Sequence, residues 1–458
     1  MESFLSSFKY VVFFLTLIVG VPIGYTYAKK NPAVEKIIFF LMIFFTVKME
    51  DINFVSRESY RGTSRGFEIG LVDICTMIIF LLVWNRKDKF KLSMPPGAPI
   101  YFIYLFFSVL SIFNSAIFLY SAFEVWKMVR MFVFFWVVYN YFRDLDQLYD
   151  LMGGIAAITI YVTYEVMKQK YLMHIFQTSG PFPHQNSLVM YMIIFCSLIF
   201  SYLLNKHKMS ARNFAMWIVI FGMGAGCIVS SLSRAGMVLF GLSCVIILTI
   251  SLGTKVNMKK IGVTILLLFM TMLLLFKAWG PITERFKTAP EQSATTRVDL
   301  AIAAVKMAND KLFGVGLNNF GHKINPPYNY SSHIEMYNPE SEEEKNGLVE
   351  TTYLMIAAET GWHNLLVFFI LIFYYLFMNI RNYFLFKGSD FQFVPIALIG
   401  GLLAIYLESS LEWVLKQTNN YYQLMLMFAI IAGMHRIAIE KRKQMAHKMM
   451  LMRREHGR

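Results

Sequence analysis

Runs of about 17–22 apolar residues, uncharged or with one charge near an end, recur along this chain and constrain it more than any other feature. A helix rises 1.5 Å per residue, so a run of that length crosses about 30 Å of hydrocarbon. Composition agrees: 57% of the 458 residues are hydrophobic and 16% charged. Mean hydropathy is +0.50. A soluble domain is nearer half apolar and a quarter charged. Phe (43), Met (30) and Tyr (25) are abundant, as lipid-facing and interfacial surfaces require. Cys75, Cys196, Cys227 and Cys244 all lie inside apolar runs. They read as small buried hydrophobes, not as a disulfide or metal framework. The expected fold class is an all-α polytopic membrane protein.

Thirteen candidate spans fall at 9–27, 33–48, 67–84, 99–116, 123–142, 149–167, 186–204, 214–230, 236–252, 261–279, 362–380, 393–410 and 420–439. The second is short, and a reading with 12 transmembrane helices, one early pair being mis-split, stands beside the reading with 13. Residues 10–27 carry no small-residue cleavage site and read as a retained helix. The net charge of +14 would suit a nucleic-acid binder, but its placement argues for no nucleic acid. Lys29 and Lys30, Arg86 to Lys91, Arg143, Lys206 to Arg212, Lys255 to Lys260, Arg381 and Lys387, and the tail from Arg436 occupy every second loop and the C-terminus. Positive residues stay cytoplasmic, so this set is inside. The chain divides into an N-terminal bundle of about ten spans (1–279), a large extracytoplasmic loop (280–361), C-terminal transmembrane helices (362–440) and a basic cytoplasmic tail (441–458). The tail reads as an anchor on anionic membrane lipids or as a partner-binding helix.

The remaining loops face out: 49–66, 168–185, the SLSRAG turn at 231–236, and 280–361. The last is polar, with His322 and His333 inside it, His363 just past it, and the acidic run Glu342–Glu343–Glu344. Long loops in compact proteins are usually functional or disordered. TTRVDLAIAAVKMAND and ETTYLMIAAETG have apolar residues at helical spacing. A partly helical, folded loop capping the membrane domain is therefore expected.

Three segments in these loops, SSLSRAGM (230–237), TTRVDLAIAAVKMANDKLFGVGLNNF (295–320) and LVETTYLMIAAETGW (348–362), resemble, in this order and on this topology, the O-antigen ligase and polymerase superfamily. GPFPHQNSLVMY (180–191) is similar to a further segment of that family. The resemblance covers residues 180–365 well and the N-terminal half by hydropathy alone. It implies a GT-C-like membrane glycosyltransferase of the bacterial inner membrane, with the large loop periplasmic. The donor would be a glycan on a polyprenyl diphosphate, the acceptor a hydroxyl of a glycan, lipid or protein. Ligation to lipopolysaccharide and polymerisation of a polysaccharide are both activities of the superfamily.

The leaving group of such a reaction is a lipid diphosphate. An arginine binds it bidentately and stays charged at a dry interface. Neutralising charge that grows in the transition state is worth several kcal/mol, and this logic requires no cofactor or metal. Arg234 is the first candidate, with Ser233 adding a hydroxyl and Gly236 permitting a tight turn. As a snorkelling helix end, Arg234 would more often lie inside. The resemblance matches Arg297 to the family's loop arginine, with Arg285 and Lys287 nearby; the alternative is a helix-start salt bridge to Asp299 or Glu291. Lys127 and Arg130 either line the same diphosphate site or pair with Glu124. GVGLNNF (314–320) does not follow a predicted strand, so its glycines read as a turn, not a phosphate loop.

Ligases of the family commonly carry a His, usually followed by Asn, just before the Tyr-Leu of the third motif. Here Glu350 stands there, with Tyr353 following. A carboxylate lifted by partial burial can act as the base, or His333 or His322 reaches in, or leaving-group activation suffices. As a helix N-terminal acid, Glu350 would instead favour the dipole. Glu359 and Glu408 are further candidates; Glu412, Trp413 and Lys416 border the groove or anchor the interface. A transporter of lipid-linked glycans or a small solute is the reading of another class, but no internal repeat of the transporter kind is evident. A cell-shape or division type of glycan polymerase would lack these motifs in this order.

Overall fold

The computed structural model describes residues 2–86, 91–254, 258–287, 291–334 and 347–456. It is helical nearly throughout, and the chain is an all-α polytopic membrane protein with one small hairpin. In chain order the helices are α1 (Glu2–Leu15), α2 (Val21–Lys30), α3 (Pro32–Phe44), α4 (Leu71–Asn85), α5 (Ala98–Leu110), α6 (Phe118–Tyr141), α7 (Gln147–Met167), α8 (Gln185–Asn205) and α9 (Ala211–Ser230). They continue with α10 (Arg234–Thr254), α11 (Met258–Lys287), α12 (Glu291–Asp310), α13 (Phe320–Lys323), α14 (Thr352–Thr360), α15 (Trp362–Leu385), α16 (Phe393–Glu408) and α17 (Thr418–His456).

Among the described residues, seven helical segments are long and apolar enough to cross a membrane: Tyr10–Lys30, Gln185–Asn205, Ala211–Ser230, Arg234–Gly253, Trp362–Leu385, Asp390–Glu408 and Thr418–Met449. Each overlaps an expected span. Two further expected spans match shorter apolar helices, Leu71–Asn85 and Ala98–Asn114. α3 has 13 residues. α6 is long enough but carries Glu124, Lys127 and Arg130 from its second turn to its middle. Much of α11 has side chains outside the described residues.

The third expected span begins too early. Asp51–Ser56 (β1) and Gly66–Gly70 (β2) form an antiparallel hairpin, with Asp51 opposite Gly70 and Ile52 opposite Ile69. The alternation Ile52, Phe54 and Phe67, Ile69 has a strand's two-residue period. It was hidden because the second of these stretches runs directly into the apolar α4.

α8 is the central pillar, buried along nearly its whole length against α9, α10, α16 and α17. Lipid tails are as apolar as leucine, so burial of apolar surface does not join spanning helices; close packing and polar contacts do. Ser197 and Ser243 join α8 to α10 at 2.7 Å. The Ser201 hydroxyl donates to the Phe393 carbonyl at 2.6 Å, and Gln423 donates to the Tyr191 carbonyl at 2.8 Å. α10 turns Val238, Leu242 and Val245 outward, as a lipid-facing helix must.

Residues 291–334 and 347–360 fold together. Leu300, Ala303, Ala304 and Met307 of α12 pack with Val315, Phe320, Val349, Met355 and Ala358 in an apolar core separate from that of the bundle. The loop is thus a folded unit with its own core in the described part. The acidic run Glu342–Glu344 lies outside the described residues. α17 carries on without a break into the basic tail as far as His456.

Candidate functional site

Segments far apart in sequence meet around one cavity of about 680 Å³. Arg65 enters from the hairpin, Gln177 and Pro183–Asn186 from the loop into α8, and Leu232–Ala235 from the start of α10. Arg297 comes from α12, Glu350 from just before α14, and Glu412–Val414 and Gln417 from the strap between α16 and α17. Every one of these lies in or beside a loop expected on one side, and the structure gathers them at one end of the bundle.

Two long helices start at this cavity. His184 is the N-cap of α8, and its ring Nδ1 accepts from the Asn186 N–H at 3.3 Å. The Ser233 hydroxyl accepts from the Gly236 N–H at 3.4 Å at the start of α10. Helix N-termini carry unsatisfied N–H groups and partial positive charge, so they favour anions. Arg234 is the first residue of α10 and is exposed to the cavity. The turn before it is made by Leu232, at φ 53°.

Gly236 has a different role from the one expected. A Cβ there would lie 2.2 Å from Val189 Cγ1 of α8. The glycine lets α10 approach the central pillar; it does not make the turn. Gly236→Ala is expected to push the start of α10 outward, lowering the melting temperature in detergent and displacing Arg234. An unchanged melting curve would refute the packing argument.

Arg297 bridges two carboxylates. Its Nη2 donates to Glu412 at 3.0 Å, and its Nε pairs with Glu350. The salt bridge expected at the start of α12 therefore exists, but to these residues. Glu412 is nearly buried, with 9% of its side chain exposed, against 36% for Glu350. Burial, reinforced by Glu350 and opposed by Arg297, pushes the Glu412 carboxyl up to about 7. Burial, with Arg297 adding to it, lowers the His184 pKa. The neutral ring uses Nδ1 as an acceptor, so its proton sits on Nε2, a donor.

Arg234, Ser233, Arg297 and Glu350 are brought together as expected residues of one site. The others are elsewhere. Lys127 is buried, pairs with Glu124 at 2.7 Å, and donates to the Thr63 and Lys416 carbonyls at 2.9 and 3.0 Å. Arg130 is held by Asp73 at 2.7 Å and borders a separate apolar cavity of about 620 Å³. Neither reaches the cavity of Arg234, because Lys127 is paired with Glu124 on its own helix and Arg130 with Asp73 of α4. The alternative of internal pairing holds for Lys127; Arg130 pairs with Asp73 instead of Glu124.

The proposed acceptor-side groups also lie away from this cavity. His333 contacts Lys306 at 3.1 Å and the Asp299 carbonyl at 2.9 Å. The His322 ring packs edge-on to Tyr328. The Tyr353 hydroxyl donates to the Tyr406 carbonyl at 2.6 Å. Arg285 lies in α11, and its side chain is outside the described residues, as is that of Lys287.

Glu359 and Lys416 belong to a buried network beside the cavity. Lys416 pairs with Glu359 at 2.9 Å and with Glu124 at 3.7 Å. Thr63 donates to Glu124 at 2.8 Å. GVGLNNF is a turn that clamps this region. Gly314 and Gly316 have φ of 66° and 113°, and a Cβ on Gly316 would lie 2.4 Å from the Ser115 hydroxyl. The Asn318 side chain accepts from the Thr63 N–H at 2.9 Å and donates to the Ser64 and Tyr120 carbonyls at 2.8 Å.

Among the charged or titratable cavity residues, His184 and Arg65 were not assigned from sequence, whereas Glu412 was expected to border the groove or anchor the interface. His184 sits in GPFPHQNSLVMY, where the similarity itself was the signal. Glu412 follows Glu408 by one helical turn, and its acidity at a span's outer end was the signal. Nothing distinguishes Arg65 from Arg57 and Arg61 in the same loop.

No curated protein matches the chain. Residues 218–369 match the family model described as O-antigen ligase, a stretch that holds Arg234, Arg297 and Glu350 but not His184 or Glu412. That match, on an all-α membrane architecture, supports assigning the chain to the O-antigen ligase superfamily of ligase- or polymerase-type membrane glycosyltransferases.

Proposed function

We propose that the chain transfers a glycan from a polyprenyl-diphosphate carrier to an acceptor hydroxyl, as a ligase for lipopolysaccharide-type glycan. In this reading it sits in the bacterial inner membrane with the cavity and the large loop on the periplasmic face and the C-terminal tail in the cytoplasm. One observation carries the reading: Arg234, Arg297 and the starts of α8 and α10 converge on a cavity that also holds two carboxylates.

Arg234, Arg297 and the two helix starts bind the diphosphate. The acceptor oxygen attacks the anomeric carbon from the opposite face, which inverts its configuration, and the carbon–oxygen bond to the diphosphate breaks. Arginine charge, not a metal, stabilises the leaving group. A carboxylate on Arg297 accepts the acceptor's proton. Polymerase activity is the second reading, favoured by Glu350 at the position where ligases commonly carry histidine.

Trp413 lines the cavity and gives a signal for binding. Undecaprenyl diphosphate is expected to change the fluorescence of the purified full chain, and Trp413→Phe to remove that change. Arg297→Ala should weaken binding about tenfold or more, the loss of one charge-assisted contact. Equal binding by wild type and Arg297→Ala would count against a diphosphate at this cavity.

A further inference from the structure

The transfer reading leaves open which carboxylate takes the proton, since Glu350 occupies the motif position and Glu412 shares its arginine. We infer that Glu412 is the catalytic base that removes the acceptor hydroxyl proton, and that Glu350 is a positioning residue that holds Arg297. The inference rests on the transfer reading and adds a catalytic residue to it.

Backbone geometry is the first argument. Glu412 lies on a short strap fixed at two helix ends. Its N–H donates to the Glu408 carbonyl at 2.8 Å. Its carbonyl accepts from the Thr352 hydroxyl at 3.0 Å and the Thr352 N–H at 3.3 Å. The side chain is then held by Arg297, and Asn186 at the start of α8 lines the same cavity. α14 and α16 therefore fix the backbone of Glu412 and α12 holds its carboxylate, which is the preorganisation that a base needs. Glu350 lies on the approach to α14, four times as exposed.

The second argument is the surroundings. Glu412 faces Arg297 and Glu350, and His184, Arg65 and Arg234 line the same cavity. Glu408, one turn earlier on α16, is fully buried. Two carboxylates on one guanidinium leave an excess negative charge, so a proton arriving at the pair lowers the repulsion. The more buried member gains most from neutralisation, in agreement with a Glu412 carboxyl pushed up to about 7. His184 cannot do this work while its Nδ1 caps α8, because the free edge of the ring is then a donor.

The step balances. The acceptor O–H bond breaks and its proton goes to the Glu412 carboxylate. The acceptor oxygen's electron pair forms the bond to the anomeric carbon. The pair of the broken carbon–oxygen bond leaves on the diphosphate.

The base must be ionised before reaction. Transfer by the wild type is therefore expected to rise about tenfold per pH unit below about 7 and to level off above it. The experiment uses the full chain in proteoliposomes with lipid-linked glycan extracted from a strain lacking this chain. Glu412→Gln should lower kcat by about 10²-fold or more and flatten the profile. It should still bind undecaprenyl diphosphate to within about threefold of wild type, a difference under 1 kcal/mol. Glu350→Gln should keep the rising limb, with its cost mainly in KM. Should Glu412→Gln fail to insert, Glu412→Asp keeps the charge and should keep the limb at reduced kcat. The inference is overturned if Glu412→Gln retains both rate and limb, or if Glu350→Gln is the variant that loses the limb. A wild type that neither binds undecaprenyl diphosphate nor transfers glycan would overturn the transfer reading itself, and the inference with it.

Discussion

Arg234→Ala is expected to lower glycan transfer by about 10²–10³-fold, the usual effect of removing one donor aimed at developing charge, while the protein still inserts. Arg234 is the first residue of α10 and faces the cavity. It follows Ser233 at the helix N-terminus, where the dipole of a 21-residue helix acts in the same direction as its charge. Close packing of Gly236 on Val189 seats the start of α10 in the variant as in the wild type. Arg234→Lys should recover only part of the rate, because an ammonium keeps the charge and loses the fork. Transfer by purified variants in proteoliposomes, with melting curves alongside, measures both. Wild-type turnover by Arg234→Ala would exclude this residue from leaving-group stabilisation.

Lys416→Met is expected to destabilise the protein by about 3–5 kcal/mol, as for other buried pairs that lose one partner. Lys416 is the cation shared by Glu359 and Glu124, and both carboxylates are 1% exposed. Lys127 still pairs with Glu124 in the variant, whereas Glu359 loses its ion-pair partner. The strap holding Glu412 and Trp413 is tied at its far end by this lysine, so transfer should fall as well. Adding Glu359→Gln to Lys416→Met removes the stranded charge and should recover part of the lost melting temperature. An unaltered melting temperature in the single variant, or none recovered in the double, would show that the network does not stabilise the fold.

Much of this architecture was legible because membrane-spanning helices are declared by length and apolarity alone. The three motifs were legible because their loops lie next to such helices, and Arg234, Ser233, Arg297 and Glu350 do meet at one cavity. What sequence could not show was partnership. Lys127 and Arg130 have the charge a diphosphate needs, but Glu124, Thr63 and Asp73 hold them inside the bundle. The pairing of Lys127 with Glu124 was open to the sequence at helical spacing, but Thr63 and Asp73 lie more than fifty residues away, so no local pattern could reveal those contacts. The hairpin at 51–70 was concealed by α4, and Gly236 was assigned to a turn because its contact, Val189, lies on another helix. Glu412 is a base candidate only once α12 brings Arg297 to it.

The central claim is that this chain moves glycan off a polyprenyl-diphosphate carrier. The glycan profile of a deletion strain, complemented with wild type or with Arg234→Ala, tests it most directly. The account predicts that surface glycan is lost on deletion while its precursor accumulates on the lipid carrier, and that wild type restores it where Arg234→Ala does not. Undiminished polymer left on the carrier marks a ligase; single-unit caps mark a polymerase. A deletion strain with unchanged surface glycan and no carrier-linked precursor would contradict the account.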